Sequence, residues 1–81
     1  MATRYLKRVA DEADAAERKY GPFTSAHEGY GVLAEEVAEL LEAIRSNQRV
    51  NVEDEAIQVS AVALRIARCC RLGRFAQRSG F

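Results

Sequence analysis

Glu55-Ala-Ile-Gln-Val-Ser-Ala-Val-Ala-Leu-Arg-Ile-Ala-Arg-Cys-Cys70 decides the fold of this 81-residue chain. From Ala56 to Cys70 only Gln58, Ser60, Arg65 and Arg68 interrupt an otherwise apolar run. At about 100° per residue, Val59, Val62, Ile66 and Cys69 make one stripe and Ile57, Ala61 and Leu64 lie opposite, so both faces need partners. The segment is predicted to be the central helix of a bundle. Glu55 and Gln58 fall on the Val59 stripe and point inward. An ionised carboxylate there is costly unless a metal, a buried base or a second carboxylate sharing a proton compensates it.

Working outward, Asn51 is the expected N-cap of this helix, over 52–72, with Glu53, Asp54 and Glu55 in its first turn. Gly73 suits a left-handed C-cap, and the tail 73–81 is too short to assign. The preceding helix is expected over 26–45. Ser25-Ala-His-Glu28 reads as a capping box, with the serine accepting from the amide of Glu28 and Glu28 returning to the serine amide. Tyr30, Leu33, Val37, Leu40, Leu41 and Ile44 form its apolar stripe. Glu35, Glu39 and Glu42 lie roughly opposite, with Glu36 at the flank. A first helix over 3–20 carries Ala2, Leu6, Val9, Ala13, Ala16 and Tyr20 at alternating spacings of four and three, and Gly21-Pro22 ends it. The expected fold is all-α: a single domain, an antiparallel bundle of three main helices completed by oligomerisation. A chain this short buries only about 60–65% of the surface its unfolded form exposes, yet 48% of its residues are apolar. A homodimer or larger assembly through Val62, Leu64 and Ile66 or their neighbours is expected.

Twelve basic and twelve acidic side chains balance, which argues against a general binder of nucleic acid or membrane surface. The charges are segregated: residues 1–55 carry a net −5 and residues 56–81 a net +5. There is no secretory signal core and no membrane span, and a cytoplasmic protein is expected. Cys69 and Cys70 are adjacent and diverge on a helix, so reduced packing suits them better than a disulfide or a metal knuckle.

The chemistry is expected at two acidic clusters on successive helices, Glu35-Glu36-x-x-Glu39 and Glu55-x-x-Gln58. Carboxylates three apart project from one side of a helix, and two facing pairs suit a hard divalent cation. Each cluster also has a plainer reading. The first matches a solvated helix face; Glu55 matches a first-turn complement to the helix dipole, and Gln58 a hydrogen-bonded core glutamine.

The stretch from Phe23 to Leu40, Phe-Thr-Ser-Ala-His-Glu-Gly-Tyr-Gly-Val-Leu-Ala-Glu-Glu-Val-Ala-Glu-Leu, and the stretch from Glu55 to Arg65 resemble the MazG-like branch of the all-α nucleoside triphosphate pyrophosphohydrolases. The resemblance covers residues 20–70 and rests on a signature of E-E-x-x-E, a spacer and E-x-x-D. It implies an oligomeric helical bundle that binds Mg²⁺, with Mn²⁺ as a substitute, and cleaves a nucleoside triphosphate to a monophosphate and pyrophosphate. Carried over, Glu36, Glu39 and Glu55 are metal ligands and Glu35 holds or activates the attacking water. Gln58 departs from the signature by standing where it has aspartate; its carbonyl can still reach a cation, but it brings no charge. His27 belongs to the segment that the resemblance places near the substrate. Arg65, Arg68, Arg71, Arg74 and Arg78 form a basic flank, with Arg65 and Arg68 the candidates to meet triphosphate oxygens, against the alternative of a solvated face. The competing expectation for the whole chain is a non-catalytic helical oligomer or regulatory binding module that has relaxed the metal site.

Overall fold

The computed structural model describes residues 2–73 and 75, and in it the chain forms three helices, α1 Ala2–Tyr20, α2 Ala26–Arg45 and α3 Arg49–Leu72. None of them is long and apolar enough to cross a membrane. At the start of α2 the Ser25 hydroxyl accepts from the Glu28 amide at 3.2 Å, as the capping box requires. The Glu28 carboxylate reaches one residue further back than expected, accepting from the Thr24 amide at 2.7 Å and its hydroxyl at 3.2 Å. Helix α3 starts three residues early, because the Gln48 carbonyl already accepts from the Val52 amide at 2.9 Å. Asn51 is therefore not the N-cap; it sits in the first turn and donates to the Gln48 side chain. Asn47 takes the left-handed conformation (φ 54°) that turns the chain between α2 and α3. Gly73 closes α3 as expected, with φ 62° and its amide bonded to the Cys69 carbonyl.

Helix α3 packs against both α1 and α2, while α1 and α2 do not touch each other. Helix α1 runs in the same direction as α3. Arg8 meets Glu53 at 2.8 Å and Asp54 at 3.1 Å, and further along Arg68 meets Asp14 at 2.8 Å. Helix α2 runs antiparallel to α3, with Gly29 against Ile66 at one end and Glu36 and Glu39 against Glu55 at the other. Small residues are among the most buried of each helix, Ala13 on α1, Gly29 and Ala43 on α2 and Ala61 on α3, which lets the helices come close. Phe23, in the loop before α2, fills the core with Val62 and Cys69, and Val32, Leu33, Ile66 and Phe75 pack around it. Cys69 is buried and Cys70 exposed, both as free thiols.

The apolar stripes are only partly used. On α1 the middle of the seam, Val9, Ala13 and Ala16, is covered, whereas Ala2, Leu6 and Tyr20 are exposed. On α2 the face against α3 is turned from the expected stripe: Gly29, Val32, Leu33, Glu36, Leu40 and Ala43 are buried or half-buried, and Tyr30, Val37, Leu41 and Ile44 are exposed. The smallest side chains, not the largest, choose the packed face, because they allow backbone approach. Val62 belongs to the interior of one chain and so is not a residue that a second copy would touch.

Gly29 and Gly31 separate packing from propensity. A Cβ on Gly29 would lie 2.8 Å from Ile66 Cγ1 and 3.1 Å from the Phe23 ring, whereas one on Gly31 would meet nothing within 4 Å. Gly31→Ala should raise the unfolding free energy by about 0.5–1 kcal/mol through helix propensity. Gly29→Ala should lose that gain to overpacking of about 1–3 kcal/mol and be net destabilising. Urea denaturation followed by circular dichroism checks both signs.

Candidate metal centre

The close approach of α2 and α3 brings Glu36, Glu39 and Glu55 together, with one carboxylate oxygen from each lying within 4.8 Å of the others. Glu36 and Glu39 share a side of α2 because they are three residues apart, and Glu55 comes from the facing side of α3. Glu36 and Glu55 are half-buried and Glu39 is exposed, so the cluster is open on one side. Since α3 begins at Arg49, Glu55 stands beyond the first turn, and the helix dipole does not explain its position. Its Oε2 atom is buried and accepts no hydrogen bond among the described residues.

The electrostatics follow from that crowding. Partial burial, then the negative charges of Glu39 and Glu55, then proton sharing with those two carboxylates raise the Glu36 carboxyl from 4.5 to about 7. Near neutral pH the cluster is thus partly held together by a proton. A divalent cation would satisfy the same oxygens, and the donor set is of the kind hard cations prefer. Two oxygens on one ion stand at most twice the metal–oxygen distance apart, about 4.2 Å for Mg²⁺ and about 5 Å for Ca²⁺. Three oxygens within 4.8 Å of one another are near enough for a single cation to gather them once the side chains adjust.

Beside the cluster opens a groove of about 580 Å³, floored by Gln58, Ala61, Val62 and Arg65 of α3. Glu12, Ala16 and Tyr20 of α1 wall one side, Glu28, Val32 and Glu36 of α2 the other, and residues 21–24 close the end. Gln58 lies in this groove and donates from Nε2 to Glu12 Oε2 at 3.1 Å. Glu12 is a member of the site that sequence reasoning missed. It brings a carboxylate beside the position where Gln58 lacks one, and nothing in its spacing sets it apart from Asp11 or Asp14 on the same helix.

The other expected residues are distributed differently. Glu35 is exposed and outside the carboxylate trio, turned away from its neighbour Glu36. His27 is exposed in the first turn of α2. Arg68 is held by α1, with Nη1 2.8 Å from Asp14 and 3.5 Å from Glu17, rather than standing ready for a ligand. Arg65 is buried and lines the groove. Arg71 is exposed, and Arg74 and Arg78 lie outside the described residues. In comparisons with protein-family models, curated proteins and solved structures, the chain has no match.

The shared proton makes a pH dependence of definite sign. In metal-free buffer the folded chain holds the Glu36 proton up to about pH 7, whereas an ordinary glutamate releases it near 4.5. The folded state therefore binds more protons than the unfolded state in that window, and stability contributed by this group falls as pH rises through it. Wild type should lose melting temperature relative to Glu36→Gln between about pH 5 and 7.5, and Mn²⁺ or Mg²⁺ should reduce the loss, since ligation needs the deprotonated carboxylate. Paired thermal melts across pH, with and without metal, test this.

Proposed function

We propose that the chain is a Mg²⁺-dependent nucleoside triphosphate pyrophosphohydrolase of the MazG-like kind, releasing a nucleoside monophosphate and pyrophosphate. The observation that carries the reading is the meeting of Glu36, Glu39 and Glu55 at the side of a groove large enough for a nucleotide, with a buried Glu55 oxygen that no amide, hydroxyl or cationic donor satisfies among the described residues. Glu36, Glu39 and Glu55 would hold the cation and Gln58 would complete its surroundings, with Glu12 supplying nearby negative charge. When bound, Mg²⁺ would neutralise charge developing on the phosphate oxygens. The chain's part is to orient the triphosphate along the groove and to hold the water in line with the α-phosphorus, the task assigned to Glu35. The water oxygen would bond to the α-phosphorus as its proton passes to that carboxylate, the bond from the α-phosphorus to the bridging oxygen would break, and pyrophosphate would leave. Because Glu12 lines the groove and Glu35 does not, Glu12 is the alternative carboxylate for that task.

Assembly is part of the proposal. We infer an antiparallel three-helix bundle completed by a second copy of the chain. Tyr30, Val37, Leu41 and Ile44 of α2, all exposed, follow one another at seven, four and three residues with Ala34 between the first two, which is the spacing of a helix–helix seam. Wild type should run as a dimer or larger in light scattering at micromolar concentration, and Leu41→Glu should shift it to the monomer. A folded wild-type monomer would remove this part.

Two variants test the site. Glu55→Gln should abolish both the metal-induced rise in melting temperature and pyrophosphate release from a triphosphate panel, while the protein stays folded. Gln58→Asp should behave oppositely with and without metal. Losing the amide donor sets a carboxylate against Glu12 and lowers stability in the absence of metal by about 1–3 kcal/mol, whereas Mg²⁺ should recover that loss and speed hydrolysis through the added charge. A Gln58→Asp protein that is destabilised in both conditions and inactive favours the non-catalytic binding module instead.

A further inference from the structure

Arg65 and Arg68 are one turn apart on α3 and live in opposite circumstances. Arg68 is about one-third exposed and lies against Asp14 and Glu17. Arg65 is 5% exposed, the more buried of the two, yet among the described residues no carboxylate lies within 4 Å of it. Its guanidinium carbon sits 4.1 Å from the centre of the Phe23 ring, and one Nη donates to the neutral Gly21 carbonyl at 3.1 Å. Its Nε–H is buried and donates to nothing among the described residues. Glu28 lines the same end of the groove, but its carboxylate is engaged by Thr24. The ring and one carbonyl orient the guanidinium without neutralising it. A buried cation with an idle donor costs stability, and an oxyanion supplies what is missing, namely opposite charge and acceptors in the geometry of the guanidinium fork.

We propose that Arg65 is an anion site of its own, taking an oxyanion of the phosphate class at the end of the groove near the 21–24 loop. Arg65 borders the groove on one side and, on the other, a cleft of about 220 Å³ with Glu17, Pro22, Arg68 and Cys69, so an approaching anion has room. The site is distinct from the carboxylate trio. Arg65 follows Gln58 by seven residues and Glu55 by ten, about 10 and 15 Å of helix rise. The groove thus has an acidic part suited to a cation and, at Arg65, a guanidinium suited to an anion, and a ligand spanning it carries oxygens at both. This inference shares the groove with the proposed hydrolase but does not depend on metal binding or turnover.

The test uses the intact chain in EDTA, with inorganic phosphate as the probe and sodium chloride at matched ionic strength as the control. Phosphate in about tenfold excess over its dissociation constant should raise the melting temperature of wild type by about 5–10 °C in a domain of this size. Arg65→Met should fold, because it keeps the apolar stem and removes an uncompensated charge, and it should show no phosphate effect. Arg68→Gln should retain the effect. Arg65→Lys, which keeps the charge but loses Nε and the planar fork, should bind phosphate about tenfold more weakly or worse by calorimetry. In ¹⁵N-labelled wild type, phosphate should shift the Arg65 Nε–H resonance, which keeps the question decidable even where Arg65→Met fails to fold. A nucleoside monophosphate binding more tightly than phosphate, with the same dependence on Arg65, assigns the phosphate to a nucleotide; equal affinities assign it to the free ion, and both support the site. No phosphate effect beyond that of chloride, or one retained in Arg65→Met, overturns it. Loss of the Mg²⁺ response with the phosphate response intact would count against the hydrolase reading and leave this site standing.

Discussion

Glu36 confronts Glu55 because α2 lies against α3 at a distance that a side chain at position 29 would forbid. A Cβ there would press into Ile66 and Phe23. Ala43, near the other end of α2, completes the same close seam. With the two backbones held in this way, the half-buried carboxylates of Glu36 and Glu55 are kept close, and a proton or a cation relieves their repulsion. The raised Glu36, the bare oxygen of Glu55 and the opening of the groove beside them all descend from that one packing constraint.

Helix α1 contributes by a different principle. Its contact with α3 is narrow in apolar terms, centred on Ala13, and is flanked by Arg8 with Glu53 and Asp54 at one end and Arg68 with Asp14 and Glu17 at the other. Exposed ion pairs of this kind stabilise weakly, by about 0–1 kcal/mol each, but they discriminate register. Register matters here, since it sets Glu12 beside Gln58 and Ala16 beside the groove. The acidic first helix and the basic end of the third thus have a structural use in the segregated charge of the chain, which accounts for Arg68 without invoking a ligand. Arg65 is not accounted for in that way, because it stacks on Phe23 and pairs with no carboxylate among the described residues.

Much was legible before the fold. The three helices, the break at Gly21-Pro22, the serine cap and the Gly73 terminus all follow from local chemistry that each segment carries by itself. The central place of the third helix followed from its two apolar faces, and it does pack on both sides. Glu36, Glu39 and Glu55 were identified by spacing and resemblance, and they are the three that converge. The start of α3 was misread because asparagine is a good cap in isolation, whereas here the Gln48 carbonyl opens the ladder earlier.

What the linear pattern could not settle was which face of an amphipathic helix is the inner one. Counting large side chains selects Tyr30, Leu33, Val37, Leu40, Leu41 and Ile44, of which Leu33 and Leu40 are half-buried and the other four are left outside. Backbone approach through Gly29 and Ala43 selects a different inner face, a choice that exists only when a second helix is present to approach. The same holds for Glu12, for the loss of Arg68 to α1 and for the isolation of Arg65: each depends on which residues of a distant helix arrive alongside. Local hydrogen bonding and periodicity are properties of a segment, so the sequence by itself determined the helices and their ends. Charge pairing and burial are properties of a meeting between segments, so only the tertiary structure decided that Glu12 joins Gln58, which arginine is satisfied and which is not.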